Sequence, residues 1–149
     1  MFQKPLKQPI SVLVVLHDGN GNVLLIKRAD YQNFWQSVTG SVEPGERLIE
    51  TALREVYEET GILLLENQIT DWHESSQYEI YQHWRHRYPE GVTHNTEHVF
   101  SAKINHNSPI KLNPKEHTAY DWMPIKEAAD KVFSPSNKAA ILNLHKHLF

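Results

Sequence analysis

The seven residues Ser11–His17 (SVLVVLH) are almost wholly apolar and rich in β-branched side chains, and the turn signal Asp18-Gly-Asn-Gly21 closes them. A run of this kind bounded by turn residues predicts a strand, and Asn22–Lys27 (NVLLIK) predicts its hairpin or near-hairpin partner. Phe34–Thr39 (FWQSVT) predicts a third strand leading into Gly40. The Pro44-Gly45 turn then hands over to a helix from about Glu46 to Thr60, with Gly61 placed as the residue just past its end. Mixed aromatic and β-branched strand signals return at Asp71–Gln82 and Glu97–Ile104, and Arg85–Asn95 (RHRYPEGVTHN) between them reads as a long polar loop. Tyr120-Asp-Trp122 predicts a short strand and Ile125–Val132 a short helix. Ser134-Pro135 supplies an N-cap and first-turn pair for a last helix running to about His147. Strands surrounding one strongly patterned helix predict a mixed α/β (α+β) sandwich.

That helix carries an acidic cluster its apolar pattern does not explain. Leu48, Ile49, Ala52, Leu53 and Val56 fall within an arc of roughly 140° at about 100° per residue, a normal core-facing stripe. Glu55, Glu58 and Glu59 stand three and four apart and share one helix surface, where like charges repel. Glu59 falls inside the apolar arc, where an unpaired carboxylate is costly to bury. A chain that keeps both penalties has something positive to place there. Hard divalent cations take carboxylate oxygens, and Mg²⁺ uses a few of them together with water and substrate phosphates. The plain alternative is a solvated acidic face with Arg54 paired to Glu58 across one turn.

Composition narrows the classes. The 149 residues fit one domain, 1–149, and an apolar share of 40% with 22% charged residues is that of a globular protein. A net charge of −3 gives no overall field for nucleic acid. There is no cysteine, so neither disulfides nor thiolate metal sites can form. The N-terminus shows no signal-peptide pattern and no apolar span of membrane length, so a cytoplasmic protein with no membrane partner is expected.

From Gly40 to Ile62 the stretch GSVEPGERLIETALREVYEETGI resembles the Nudix box, G-x5-E-x7-R-E-U-x-E-E-x-G-U with U aliphatic. Gly40, Glu46, Arg54, Glu55, Val56, Glu58, Glu59, Gly61 and Ile62 fill every fixed position at the required spacing. The resemblance implies a mixed sheet sandwiched between helices. It also implies hydrolysis of a phosphoanhydride with Mg²⁺, for which Mn²⁺ is a substitute. Carried onto matching positions, it implies Glu55, Glu58 and Glu59 as metal ligands, with the Gly40 carbonyl as a further ligand. Glu46 is then expected to orient the loop or Arg54. Outside the box, FWQSVTGSVEPGE, WRHRYPEGVTHNTEHVF and KEHTAYDW are similar to the bacterial dihydroneopterin triphosphate pyrophosphatases, the folate-pathway branch of the family. That likeness implies release of pyrophosphate from 7,8-dihydroneopterin triphosphate. A purine deoxynucleoside triphosphate such as dATP is the related reading. A nucleotide-sensing module without hydrolysis is a third, against which the intact REVYEE stands. The implied partner is a small-molecule triphosphate, handled by a monomer or weak homodimer.

Further candidates lie outside the box. Nudix enzymes often recruit another carboxylate C-terminal to it, and Glu97 and Glu116 both qualify. Glu116 matches the metal-associated glutamate of the folate-pathway branch, and the general base stays open between Glu58 and Glu116. Lys7 and Arg28 flank the first two strands and could reach a triphosphate, or be surface charges. Thr39 could present its backbone or hydroxyl to substrate. In Tyr78-Glu79-Ile80-Tyr81, tyrosine faces suit stacking on a flat ring and Glu79 suits an aminopyrimidine edge, although Tyr/Ile alternation is also an ordinary half-buried strand. Ser136 could donate to substrate or cap the last helix. His83, His86, His94 and His98, with Arg85 and Arg87 among them, fit no familiar closed zinc site. They read as a basic loop lining a phosphate cleft or as solvated loop residues.

Overall fold

A computed structural model describes residues 6–148. Its centre is β1 (Ile10–His17), whose residues after Ile10 are all buried. β1 runs parallel to β6 (His94–Lys103) over eight registered pairs, from Ile10 opposite Thr96 to His17 opposite Lys103. Its other edge is shared. β2 (Asn22–Arg28) meets it only at the turn, His17 opposite Val23, and β4 (Val38–Ser41) takes the rest, Ser11 opposite Ser41 through Val14 opposite Val38. The hairpin is therefore real only at its tip, where Asp18 Oδ1 accepts from the Asn20 and Asn22 amides. Beyond that pair β2 turns away to β7 (His117–Pro124) and β3 (Trp35–Gln36), and β5 (Ile69–Glu79) completes the seven-stranded mixed sheet on the far side of β6.

The sheet is packed on both faces, as the sandwich expectation requires. On one face Val12, Val14, Leu16, Leu24, Ile26 and Phe100 meet Ala52 and Val56 of helix α1 (Leu48–Thr60). On the other, Leu13, Val15, Val23, Leu25 and Val99 meet Ala128 and Ala129 of α2 (Ile125–Lys131) and Ala140 and Ile141 of α3 (Pro135–Asn143). Alternation along β1 sends odd and even residues to opposite helical layers. Among the described residues no helix is long and apolar enough to cross a membrane.

Several boundaries differ from expectation, each with a local cause. α1 starts at Leu48, not Glu46, because Glu46 is withheld from the helix: its Oε1 accepts from the Glu43 amide and from Thr51 Oγ1. Phe34–Thr39 is two short strands broken at Ser37, whose amide donates to the buried Asn137 side chain instead of a strand neighbour. Arg85–Asn95 is not all loop. Gln82–Arg87 winds as a 3₁₀ turn, held by Arg85 Nε donating to the Ile80 carbonyl at 3.0 Å, and β6 already begins at His94. β7 starts three residues before Tyr120, and the last helix ends at Asn143 with a 3₁₀ turn, Leu144–His147, after it.

Candidate active site

Arg54 organises the acidic helix. Its Nε donates to Glu46 Oε2 at 2.7 Å and its Nη2 to Glu46 Oε1 at 3.0 Å, a two-pronged pairing that ties the loop before α1 to the helix middle. Nη1 reaches Glu55 Oε1 at 2.8 Å and Glu58 Oε2 at 3.2 Å, and Nη2 also donates to the Ser41 carbonyl at 3.0 Å. Arg54 holds Glu46 down at about 2, while the Glu46 partnership pushes the guanidinium further up. With Glu43 also 3.6 Å from Nη1, one cation thus serves four carboxylates, which leaves the cluster with unmatched negative charge.

Glu59 lies where its helix angle puts it. It is 3% exposed, and its Oε2 accepts from the Thr39 amide at 3.2 Å. Burial pushes its carboxyl well up, and Glu55, hydrogen-bonded to it, raises it further. Glu55 is itself pushed up to about 7 by burial. Two buried carboxyl groups in contact share a proton or take a cation. Gly40 stands directly over them: a Cβ there would overlap the Glu55 carboxyl group, so only glycine leaves the β4 backbone close to the acids. Glu58 meets Glu55 at Arg54 Nη1, on the exposed side of the group rather than beside the buried Glu59. The Glu58 side chain is 51% exposed and turned to Arg54, and no three acidic or imidazole side chains converge as a metal set among the described residues. The donor chemistry at Glu55, Glu59 and the Gly40 carbonyl fits a hard divalent cation.

A glycine pressed against a buried glutamate pair, with an arginine tying the intervening loop to the helix, fills the whole box pattern in three dimensions. The NUDIX domain pattern matches residues 7–144. This chain belongs to the Nudix family. It is 43% identical over 144 residues to the dihydroneopterin triphosphate diphosphatase of Escherichia coli (strain K12), covering 95% of each chain. It is 37% identical to the dihydroneopterin triphosphate diphosphatase of Haemophilus influenzae, covering 93% of this chain and 87% of that one. The solved E. coli dihydroneopterin triphosphate pyrophosphohydrolase superposes with a TM-score of 0.88 at 41% identity, covering 97% of this chain and 99% of that chain.

Around the Nudix helix the other candidates divide. Lys7 is brought close: burial and the neighbouring Arg87 lower its pKa, while Glu55 and Glu59 raise it, and its amide donates to the Arg87 carbonyl at 2.8 Å. Arg28 also faces this group, but its guanidinium forks onto Asp30 at 2.8 and 2.7 Å and lies 5.2 Å over Phe34 and 5.0 Å over Trp84. The Thr39 hydroxyl is committed to the Val12 carbonyl at 2.9 Å, which leaves its amide as the group facing Glu59. Glu116 is exposed on the turn into β7, near enough for its charge to raise Glu59.

The tetrapeptide 78–81 splits. Tyr78 accepts from Asn95 Nδ2 at 3.1 Å, and Ile80 is buried. Tyr81 joins an aromatic group with His83, Trp84 and Phe133. Glu79 points elsewhere: it is exposed and paired to Arg85 at 2.6 Å, so its carboxylate is already used. Ser136 is not the cap of α3. Ser134 is, accepting from the Asn137 amide, and Ser136 Oγ donates to Glu97 at 2.9 Å. His86 and His94 are exposed, and His98 is half-buried.

Sequence reasoning passed over His117. It is buried, its Nε2 lies 3.5 Å from Glu59 Oε1, and burial lowers its pKa. Starting β7 at Tyr120 hid it; extending the strand back to 117 would have exposed the possibility. Asn95, fully buried, was hidden in the segment read as loop.

Proposed function

We propose that this chain is a Mg²⁺-dependent pyrophosphohydrolase, with Mn²⁺ as a substitute, acting on 7,8-dihydroneopterin triphosphate to give the monophosphate. The observation that carries the reaction class is the buried Glu55–Glu59 pair beneath Gly40, set against the basic group Lys7, Arg28 and Arg87. The substrate follows from the likeness to the E. coli diphosphatase across 95% of both chains.

Glu55, Glu59 and the Gly40 carbonyl, with Glu58 and Glu116 beside them, are the residues that would hold the metal. When bound it neutralises phosphate oxygens and lowers the pKa of water. Lys7 and Arg87 pin the terminal phosphates as point charge and planar fork. The Glu46–Arg54 pairing holds the Gly40 loop against the helix, which keeps the reacting groups in register. Glu58 or Glu116 takes the proton from the attacking water. The water oxygen bonds to the first phosphorus, the bridging P–O bond to the second phosphate breaks, and pyrophosphate leaves. The substrate is a small molecule, and the enzyme is cytoplasmic, a monomer or weak homodimer.

The test is pyrophosphate release in Mg²⁺ from dihydroneopterin triphosphate, dATP, GTP and a dinucleoside polyphosphate, with Glu59→Gln alongside. The pterin is expected to lead by about tenfold or more in kcat/KM, and Glu59→Gln to lower turnover by about 10²-fold or more. A lead for dATP would keep the reaction and discard the substrate. Binding without hydrolysis would discard the mechanism.

A further inference from the structure

Behind β1, on the face away from α1, lies a second polar group that the phosphate chemistry does not use. Ser11 and Glu97 are cross-strand partners in β1 and β6, and Ser11 is also opposite Ser41 in β4. Ser11 precedes Leu13 and Val15 in the layer packed on α2 and α3, so Glu97 faces that layer while Glu59 faces the other. Glu97 is 5% exposed, and Ser136 Oγ is its one hydrogen-bond donor among the described residues. No cation pairs with it among them. Two positions back on the same face, Asn95 is 0% exposed; its Nδ2 donates to Ser11 Oγ at 2.7 Å and to Tyr78, while its Oδ1 is buried with no partner.

Two adjacent buried side chains therefore keep unused acceptor oxygens, and one of them is a carboxylate. Buried carboxylates normally have a cation or several donors. A glutamine would serve Ser136 equally well without the charge penalty, so packing alone does not account for the residue. Burial raises the Glu97 carboxyl, against the lowering effect of the Ser136 hydroxyl. A 2-amino-pyrimidin-4-one edge offers two parallel N–H donors, the geometry a carboxylate accepts two-pronged. Adenine offers a donor beside an acceptor and mismatches it.

We propose that Glu97, with Asn95 beside it, reads the 2-amino-4-oxo edge of the substrate's ring and sets the preference for pterin over adenine. The proposal rests on the pyrophosphohydrolase reading and names the recognition end of that site. Glu97 is two strand spacings from Ser41, about 10 Å, and Ser41 adjoins Gly40. That span matches a bicyclic ring and its three-carbon arm leading to the first phosphate. Ser136 donates to this carboxylate, and Tyr78, close enough for the Glu97 charge to raise its pKa, is 36% exposed and so available to a ring face.

The test compares Glu97→Gln with wild type on two substrates. The variant is expected to lose about 10²-fold in kcat/KM on dihydroneopterin triphosphate, mainly through KM, and to change less than about threefold on dATP. Equal losses on both, or none on either, overturn the assignment. A second measurement needs no variant: calorimetric titration of wild type with GTP and with inosine triphosphate, which lacks the 2-amino group. Binding of GTP at least about tenfold tighter supports the proposal; equal binding, or binding of neither, overturns it. Because calorimetry does not depend on turnover, a protein that prefers GTP yet releases no pyrophosphate keeps this inference and loses the catalytic one.

Discussion

Glu55 and Glu59 give the folded chain protons that the unfolded chain does not hold. Burial and mutual contact push Glu55 from the ordinary 4.5 up to about 7, and Glu59 well above its ordinary value. Across that window the native state binds more protons, so the contribution of the pair to stability falls as pH rises. Metal-free protein is therefore expected to lose thermal midpoint between about pH 4.5 and 7, and saturating Mg²⁺ at neutral pH should restore it by replacing the shared proton. Melting curves with EDTA and with Mg²⁺ across that range check this; an EDTA midpoint that climbs through the window contradicts it. Glu46 acts in the opposite sense. Held at about 2 by Arg54, it stabilises above its ordinary value, and that contribution fades as pH falls toward 2. Glu59 was legible in the sequence because a helix angle can be read from spacing. His117, pressed on the same carboxylate, was not, because its exposure depends on where a neighbouring strand begins.

At the level of elements, the Nudix helix was the most readable part of the chain, and its C-terminus shows why. Gly61 takes φ 77° and donates its amide to the Tyr57 carbonyl, the left-handed ending that glycine adopts without penalty. A Cβ there would also stand 3.0 Å from Lys111 Cβ. Gly61→Ala should cost about 1 kcal/mol or more, a fall in thermal midpoint of about 2–4 °C for a chain of this size. A midpoint unchanged by the substitution would mean that the chain can end the helix another way. Strand limits were harder to read. The packing of Trp84 on Tyr31 and Phe34 and the Asn95–Tyr78 pairing that opens β6 both join segments distant in sequence, and periodicity within one segment does not report them.

Across the whole molecule the sheet separates two tasks. Its α1 face gathers carboxylates against Lys7 and Arg87, its α2–α3 face holds Glu97 and Asn95, and the two meet at the strand ends, where Ser11 lies between Ser41 and Glu97. The unbroken apolar run in SVLVVLH fits a β1 covered on both faces. It does not foretell which strands flank it, and both the proposed ring pocket and the phosphate site are set by those flanks.

The eight-pair parallel register of β1 with β6 also has a consequence during synthesis. Val12–Leu16 leaves the ribosome with one long edge whose partner, His94–Lys103, has yet to be made. At about 5–20 residues per second the wait is on the order of 4–17 s. Throughout it, a short, uncharged, β-branched segment is open to pairing with the nascent chain beside it. A fragment of residues 1–93 should therefore aggregate where the full chain stays soluble, and sedimentation of the two expressed in parallel decides it. A soluble monomeric fragment would mean that β4 and α1 alone shelter the strand until its partner arrives.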